Sequence, residues 1–158
     1  MTNTEVIQAA FRALESDNAL NMAPYLADDF VWHGNLPRDL SKENFLNLAI
    51  TFKRAFPDFS FGLKIVKEVS RSVIKATMEP VGTHTGEFTL PGLTPVAPTG
   101  TVVALPRQVL LFTLENEKIN RLELEVASGG GLEDLLAHLG VEVSEEWLAN
   151  LFGGGIDG

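Results

Sequence analysis

Acid–base chemistry is the first possibility the residues raise. His84 sits in Gly82-Thr83-His84-Thr85-Gly86-Glu87-Phe88, with Thr83, Thr85 and Glu87 on the opposite parity of an extended stretch. Further along, Arg121, Glu123 and Glu125 alternate with Leu122, Leu124 and Val126. A neutral imidazole and a carboxylate on one pocket wall can move a proton from the carbon next to a carbonyl and stabilise the resulting enolate. His33 is a further candidate. It follows Trp32, and neighbours on a strand face opposite ways, so one contacts the pocket and the other the outside. Trp32, Phe52, Phe61 and Met78 are candidate apolar wall residues. Arg107, beside Pro106 in an otherwise apolar run, can pair with Glu123 or Glu125 on a neighbouring strand, or clamp a substrate carbonyl.

Alternation in the last strand leaves two orientations open. If the charged face lines the cavity, desolvation raises the carboxylate pKa, as a general acid or base requires, and Leu122, Leu124 and Val126 lie outside against a second subunit. If the parity is reversed, the carboxylates are solvated and the leucines are core. No metal site is expected: His33, His84 and His138 are far apart, and no paired-histidine spacing occurs. Gly129-Gly130-Gly131 precedes a helical pattern but lacks the lysine or glycine spacing of a phosphate loop.

The elements that must position these groups are legible from periodicity. Val6, Ile7, Ala10, Phe11 and Leu14 form one helical stripe behind Thr4, a possible cap. A short helical stretch around Met22–Leu26 precedes a strand at Phe30–His33. Ser41 caps a second helix with Phe45, Leu48, Ala49, Phe52, Ala55 and Phe56 on one face, stopped by Pro57. Period-two alternation predicts strands over Phe59–Ile65, Val73–Met78 continuing through Val81–Phe88 across a bend at Pro80, Val102–Leu114 and Ile119–Val126. Leu90–Thr101, with Pro91, Pro95 and Pro98, reads as a loop. Helix Leu132–Leu139 ends at Gly140, and Ser144 caps a last helical segment. Helices first and antiparallel strands afterwards give an α+β fold: a curved antiparallel sheet forming a cone-shaped barrel, with N-terminal helices enclosing a pocket. One domain is expected over 1–158, with a core of about 5–141, a helical extension over 142–152 and a flexible glycine-rich tail over 153–158.

Twelve basic residues against 21 acidic ones give a net charge of −9, which disfavours nucleic acid and anionic membrane surfaces as partners. The absence of cysteine excludes disulfides and thiolate chemistry. No signal-peptide pattern and no spanning apolar stretch are present, so a cytoplasmic location is expected.

Seven blocks occur in the order and spacing of one known family: Asp29–His33, Phe56-Pro57-Asp58-Phe59, Gly82–Phe88, Pro98-Thr99-Gly100, Phe112, Lys118-Ile119, and Leu135-Leu136 with Leu139-Gly140. Over about residues 5–141 the chain resembles the SnoaL-like polyketide cyclases. That resemblance implies the cone of nuclear-transport-factor type, a homodimer, and a pocket for a small hydrophobic molecule. It also implies an intramolecular aldol condensation that uses neither metal nor cofactor. In those enzymes an Asp near the end of the last strand does the acid–base work, helped by pocket histidines. Counting from Lys118, the family's Trp position is Glu123 and its Asp position is Ala127. Glu125 is the nearest carboxylate of the same parity. Two function classes follow. One is a metal-free cyclase, isomerase or hydrolase with His84, His33 and Glu123 or Glu125 as acid–base groups. The other is a non-catalytic binding or dimeric interaction protein of the same fold.

Overall fold

The computed structural model describes residues 1–34, 36, 38–125 and 132–151. Helix α1 (Asn3–Leu14) starts at a capping box: Thr2 accepts from the Glu5 amide and the Glu5 side chain accepts from the Thr2 amide. The cap is therefore Thr2, and Thr4 lies within the first turn. The buried stripe of α1 includes Val6, Ile7, Ala10, Phe11 and Leu14. A 3-10 helix (Ala19–Tyr25) capped by Asn18 leads into β1 (Leu26–His33). The two-residue β2 (Leu40–Ser41) feeds α2 (Lys42–Ala55), whose first turn is capped by the Ser41 hydroxyl. Pro57 forces Phe56 out of helical geometry and ends α2 there.

Strands β3 (Lys64–Glu68), β4 (Val73–Met78), β7 (Gln108–Glu115) and β8 (Lys118–Leu124) complete a six-stranded sheet in the order β2-β1-β8-β7-β4-β3. The β7–β8 turn places Asn116 and Glu117 at φ 53° and 61°, the double left-handed geometry of a type I′ hairpin. A separate two-stranded sheet holds β5 (Val81–Thr83) and β6 (Val102–Ala104). Helices α3 (Leu132–His138) and α4 (Glu145–Asn150) follow. Among the described residues no helix is long and apolar enough to cross a membrane.

This is the α+β architecture expected from the sequence, with five differences in the strands. The sheet curves but stays open rather than closing as a barrel. It is mixed, because β1 runs parallel to β8. The strand expected over Val81–Phe88 stops at Thr83 and lies in the second sheet. Pro80 has no N–H to donate, and the chain leaves the β4–β7 ladder after Met78 pairs with Gln108. Pro106 likewise divides the expected Val102–Leu114 strand, and Gly62, at φ +58°, delays β3 to Lys64.

Register settles which face is inward. Trp32, Leu122, Phe112 and Ile74 stand side by side across four strands, followed by Leu124, Leu110 and Ala76, and then by Gln108 and Met78. Phe112, Ile74, Leu110 and Ala76 are fully buried beneath α1 and α2, so these rows form the concave face. The alternate rows, Val31-Arg121-Thr113-Val73 and His33-Glu123-Leu111-Lys75, form the convex face. Leu122 and Leu124 are therefore core, not an outer apolar face, and Arg121 and Glu123 point away from the cavity. Val126 and Ala127 lie outside the described residues, as does the tail 153–158.

Candidate functional site

Helices α1 and α2, the concave rows and α3 enclose a cavity of about 120 Å³. Trp32, Phe52, Phe61 and Met78 all contribute to its wall. Phe11 and Leu14 come from α1, Leu122 and Leu124 from β8, and Leu132 and Leu135 close one side from α3. The aromatic rings interlock: Phe11 meets Phe61 edge-on at 5.6 Å between centroids, and Phe59 lies 4.9 Å from Phe61. Besides the Trp32 indole, the described residues of the wall include two polar side chains, Gln108 and Lys53. The Lys53 ammonium donates to the Glu15 carbonyl at 3.0 Å and the Pro57 carbonyl at 2.8 Å, so this residue offers the cavity its methylene stem. Gln108 is 2% exposed.

No carboxylate or imidazole is among the described lining residues. His84 does not face the cavity. It follows β5, fully buried, with its ring 5.3 Å from the Phe56 ring. Its Nδ1 accepts from the Thr99 amide at 3.2 Å, with the Thr99 hydroxyl at 2.9 Å, so the imidazole is the neutral Nε2–H tautomer. Among the described residues Nε2 has no partner in full hydrogen-bond geometry, and only the Gly86 backbone interacts with it. Desolvation holds the His84 pKa below 6.5, opposed more weakly by the Gly86 backbone.

The blocks flanking His84 are one another's partners. The His84 amide donates to the Thr101 carbonyl and the Gly100 amide to the His84 carbonyl, at 2.9 and 2.8 Å. The Asp58 carboxylate accepts from the Thr83 amide at 2.8 Å, which lowers the Asp58 pKa. The Thr85 and Gly86 amides both donate to the carbonyl of Ala55, the last residue of α2. A β-carbon on Gly86 would stand 2.0 Å from the Arg54 carbonyl oxygen, so only glycine lets these backbones meet. The Phe-Pro-Asp, Gly-Thr-His-Thr-Gly and Pro-Thr-Gly blocks thus form a clasp between the end of α2, β5 and the loop before β6.

The remaining candidates gather elsewhere. His33 and Glu123 are register partners on the convex face. His33 Nδ1 lies 2.6 Å from an Asp39 oxygen, and Arg121 Nε lies 3.3 Å from Glu123. Glu125 is exposed and has the parity of Glu123. Arg107 pairs with Glu79 at 3.5 Å rather than with Glu123 or Glu125, because it precedes β7 and stands at the sheet's end. No group of three or more metal-ligating side chains occurs among the described residues. Neither Gln108 nor Lys53 stands out in the sequence as a site residue. Gln108 carries a usable signal all the same, being the single polar residue on the inward parity of Gln108, Leu110, Phe112 and Leu114.

No protein-family profile and no curated protein sequence matches the chain. Solved structures do. A candidate polyketide cyclase from Pseudomonas putida KT2440 superposes with a TM-score of 0.66 at 18% identity, covering 87% of this chain and 98% of that one. IdmH, a candidate polyketide cyclase from Streptomyces antibioticus, gives 0.66 at 18% identity, over 89% of this chain and all (100%) of that one. A candidate SnoaL-like polyketide cyclase from Jannaschia sp. CCS1 gives 0.61 at 17% identity, over 78% and 83%. At such identities the likeness is one of fold.

Proposed function

We propose that this chain is a SnoaL-like protein that takes up a small hydrophobic molecule in the cavity beneath its curved sheet. The observation that carries the reading is the wall itself: aromatic and aliphatic side chains from two helices, the concave rows and α3 surround a space with few polar neighbours among the described residues. Ligand sites have this composition, mostly apolar with few polar groups. Binding, rather than acid–base turnover, is what the lining supports, since His33, Glu123 and Glu125 occupy the convex face and His84 the clasp. Trp32 in the wall supplies a reporter. Titration with small aromatic compounds should change Trp32 fluorescence saturably, and a Trp32→Phe variant should lose that signal. Unchanged fluorescence together with no heat of binding across such a set would sink the proposal.

The structural neighbours favour a second reading, a metal-free enzyme acting on a hydrophobic carbonyl compound. It requires a proton-transfer group that reaches the cavity, and solvent deuterium exchange into a bound ketone would report one. Under either reading we place the protein in the cytoplasm as a homodimer. The convex face supports the dimer by presenting half-buried Val31, Val73, Val109 and Leu111.

A further inference from the structure

Gln108 is the polar feature of the cavity that remains once the other candidates are placed. It opens β7 opposite Met78, at the end of the cavity where Pro80 and Leu105 complete the wall. On the inward rows its neighbours are Met78 opposite, Leu110 along the strand and Leu124 on the diagonal, all apolar. A primary amide buried among such groups is costly unless its hydrogen bonds are made. Gln108 is already engaged within the fold. It carries two N–H donors and two acceptor lone pairs, so an internal contact and a ligand contact are compatible.

Resting on the ligand-binding reading above, we infer that Gln108 selects the ligand: a neutral molecule of about one ring, with a single hydroxyl or carbonyl group directed at the Gln108 amide. Size follows from volume. An apolar cavity of about 150 Å³ holds one benzene ring, and the space here is 120 Å³. Met78, flexible and polarisable, borders the amide and can adjust to a substituent. Charge follows from the wall. A carboxylate would need a cation, and the lining ammonium of Lys53 is turned to two backbone carbonyls. An anion entering an apolar space without a partner loses its hydration and gains nothing in exchange. The amide accepts from a hydroxyl or donates to a carbonyl, so both oxygen types fit, while a carboxylate is disfavoured by its uncompensated charge.

Toluene, phenol and benzoate share one ring and differ in one substituent, so they separate the contributions. By calorimetry the wild-type protein should bind phenol and toluene and give no saturable heat with benzoate. Gln108→Met keeps the length and removes the amide. It should weaken phenol more than ten-fold while toluene stays within about three-fold, since only phenol loses a hydrogen bond. The side-chain amide resonances of Gln108 in the wild-type protein should move with phenol and stay in place with toluene, which keeps the test independent of how well the variant folds. Equal losses for phenol and toluene in the variant, unmoved amide resonances, or benzoate binding as tightly as phenol would overturn the role of Gln108. Failure of both toluene and phenol to bind the wild-type protein would instead overturn the cavity as a ligand site.

Discussion

Replacing His84 by alanine separates a residue that holds the fold from one that serves the cavity. The imidazole is fully buried against Phe56 and accepts the Thr99 amide. Removing a buried ring of this size costs about 2–4 kcal/mol, by comparison with other large-to-small changes in cores. The lost acceptor adds at most about 1 kcal/mol, because Thr99 is exposed and water can take its N–H. Removing Nε2, which lacks a partner in full hydrogen-bond geometry, returns up to a similar amount. The net loss is about 2–4 kcal/mol, which lowers the melting temperature by roughly 5–15 °C in a chain of this size. Calorimetric melting and urea unfolding measure the loss. Titration with phenol well below the melting temperature measures the cavity, and its affinity should stay within about two-fold of wild type. A variant of unchanged stability whose phenol affinity drops ten-fold would refute the reasoning, because His84 would then reach the ligand.

Three further outcomes follow from the same geometry. The folded-state pKa of His84 lies below its unfolded value of 6.5, so its stabilising contribution is complete above that pH. It is lost as pH falls from about 6.5 through the folded value, and urea midpoints of wild type against His84→Ala at pH 7.5 and 5 should converge as the pH drops. Gly86→Ala drives a methyl into the Arg54 carbonyl and breaks the two bonds to Ala55, for about 2–4 kcal/mol. Gly100→Ala meets nothing within 4 Å and loses only what φ +72° demands, about 1 kcal/mol, so equal urea midpoints for the two variants would contradict the clasp. Leu111→Glu puts a charge beside Glu123 in the centre of the convex face. It should convert a dimer to a monomer in light scattering, and a wild-type protein that is already monomeric removes the dimer from the proposal.

The helices, their ends and most strands are legible in the chain because their causes are local. Ser41 before α2, Pro57 after it and Gly140 after α3 act within a few residues of themselves. The signature blocks are equally legible as blocks. Their partners are not: Asp58 meets Thr83 and His84 meets Thr99 across 25 and 15 residues of chain, and no spacing rule states that they bond to each other. A titratable side chain such as His84, seen without the groups it bonds to, reads as a cavity residue for that reason.

What the sequence determined by itself was which residues share a face, since alternation along a strand fixes that locally. Alternation alone pairs Arg121 with Glu123, and Leu122 with Leu124. Which pair turns inward was decided only by the tertiary fold. Leu122 and Leu124 lie in register with Phe112 and Leu110, and the area those side chains remove from water against α1 and α2 outweighs any gain from turning two charges into an apolar space. That choice carried His33 and Glu123 to the convex face. It left Gln108, a residue with no motif around it, as the polar group in the cavity.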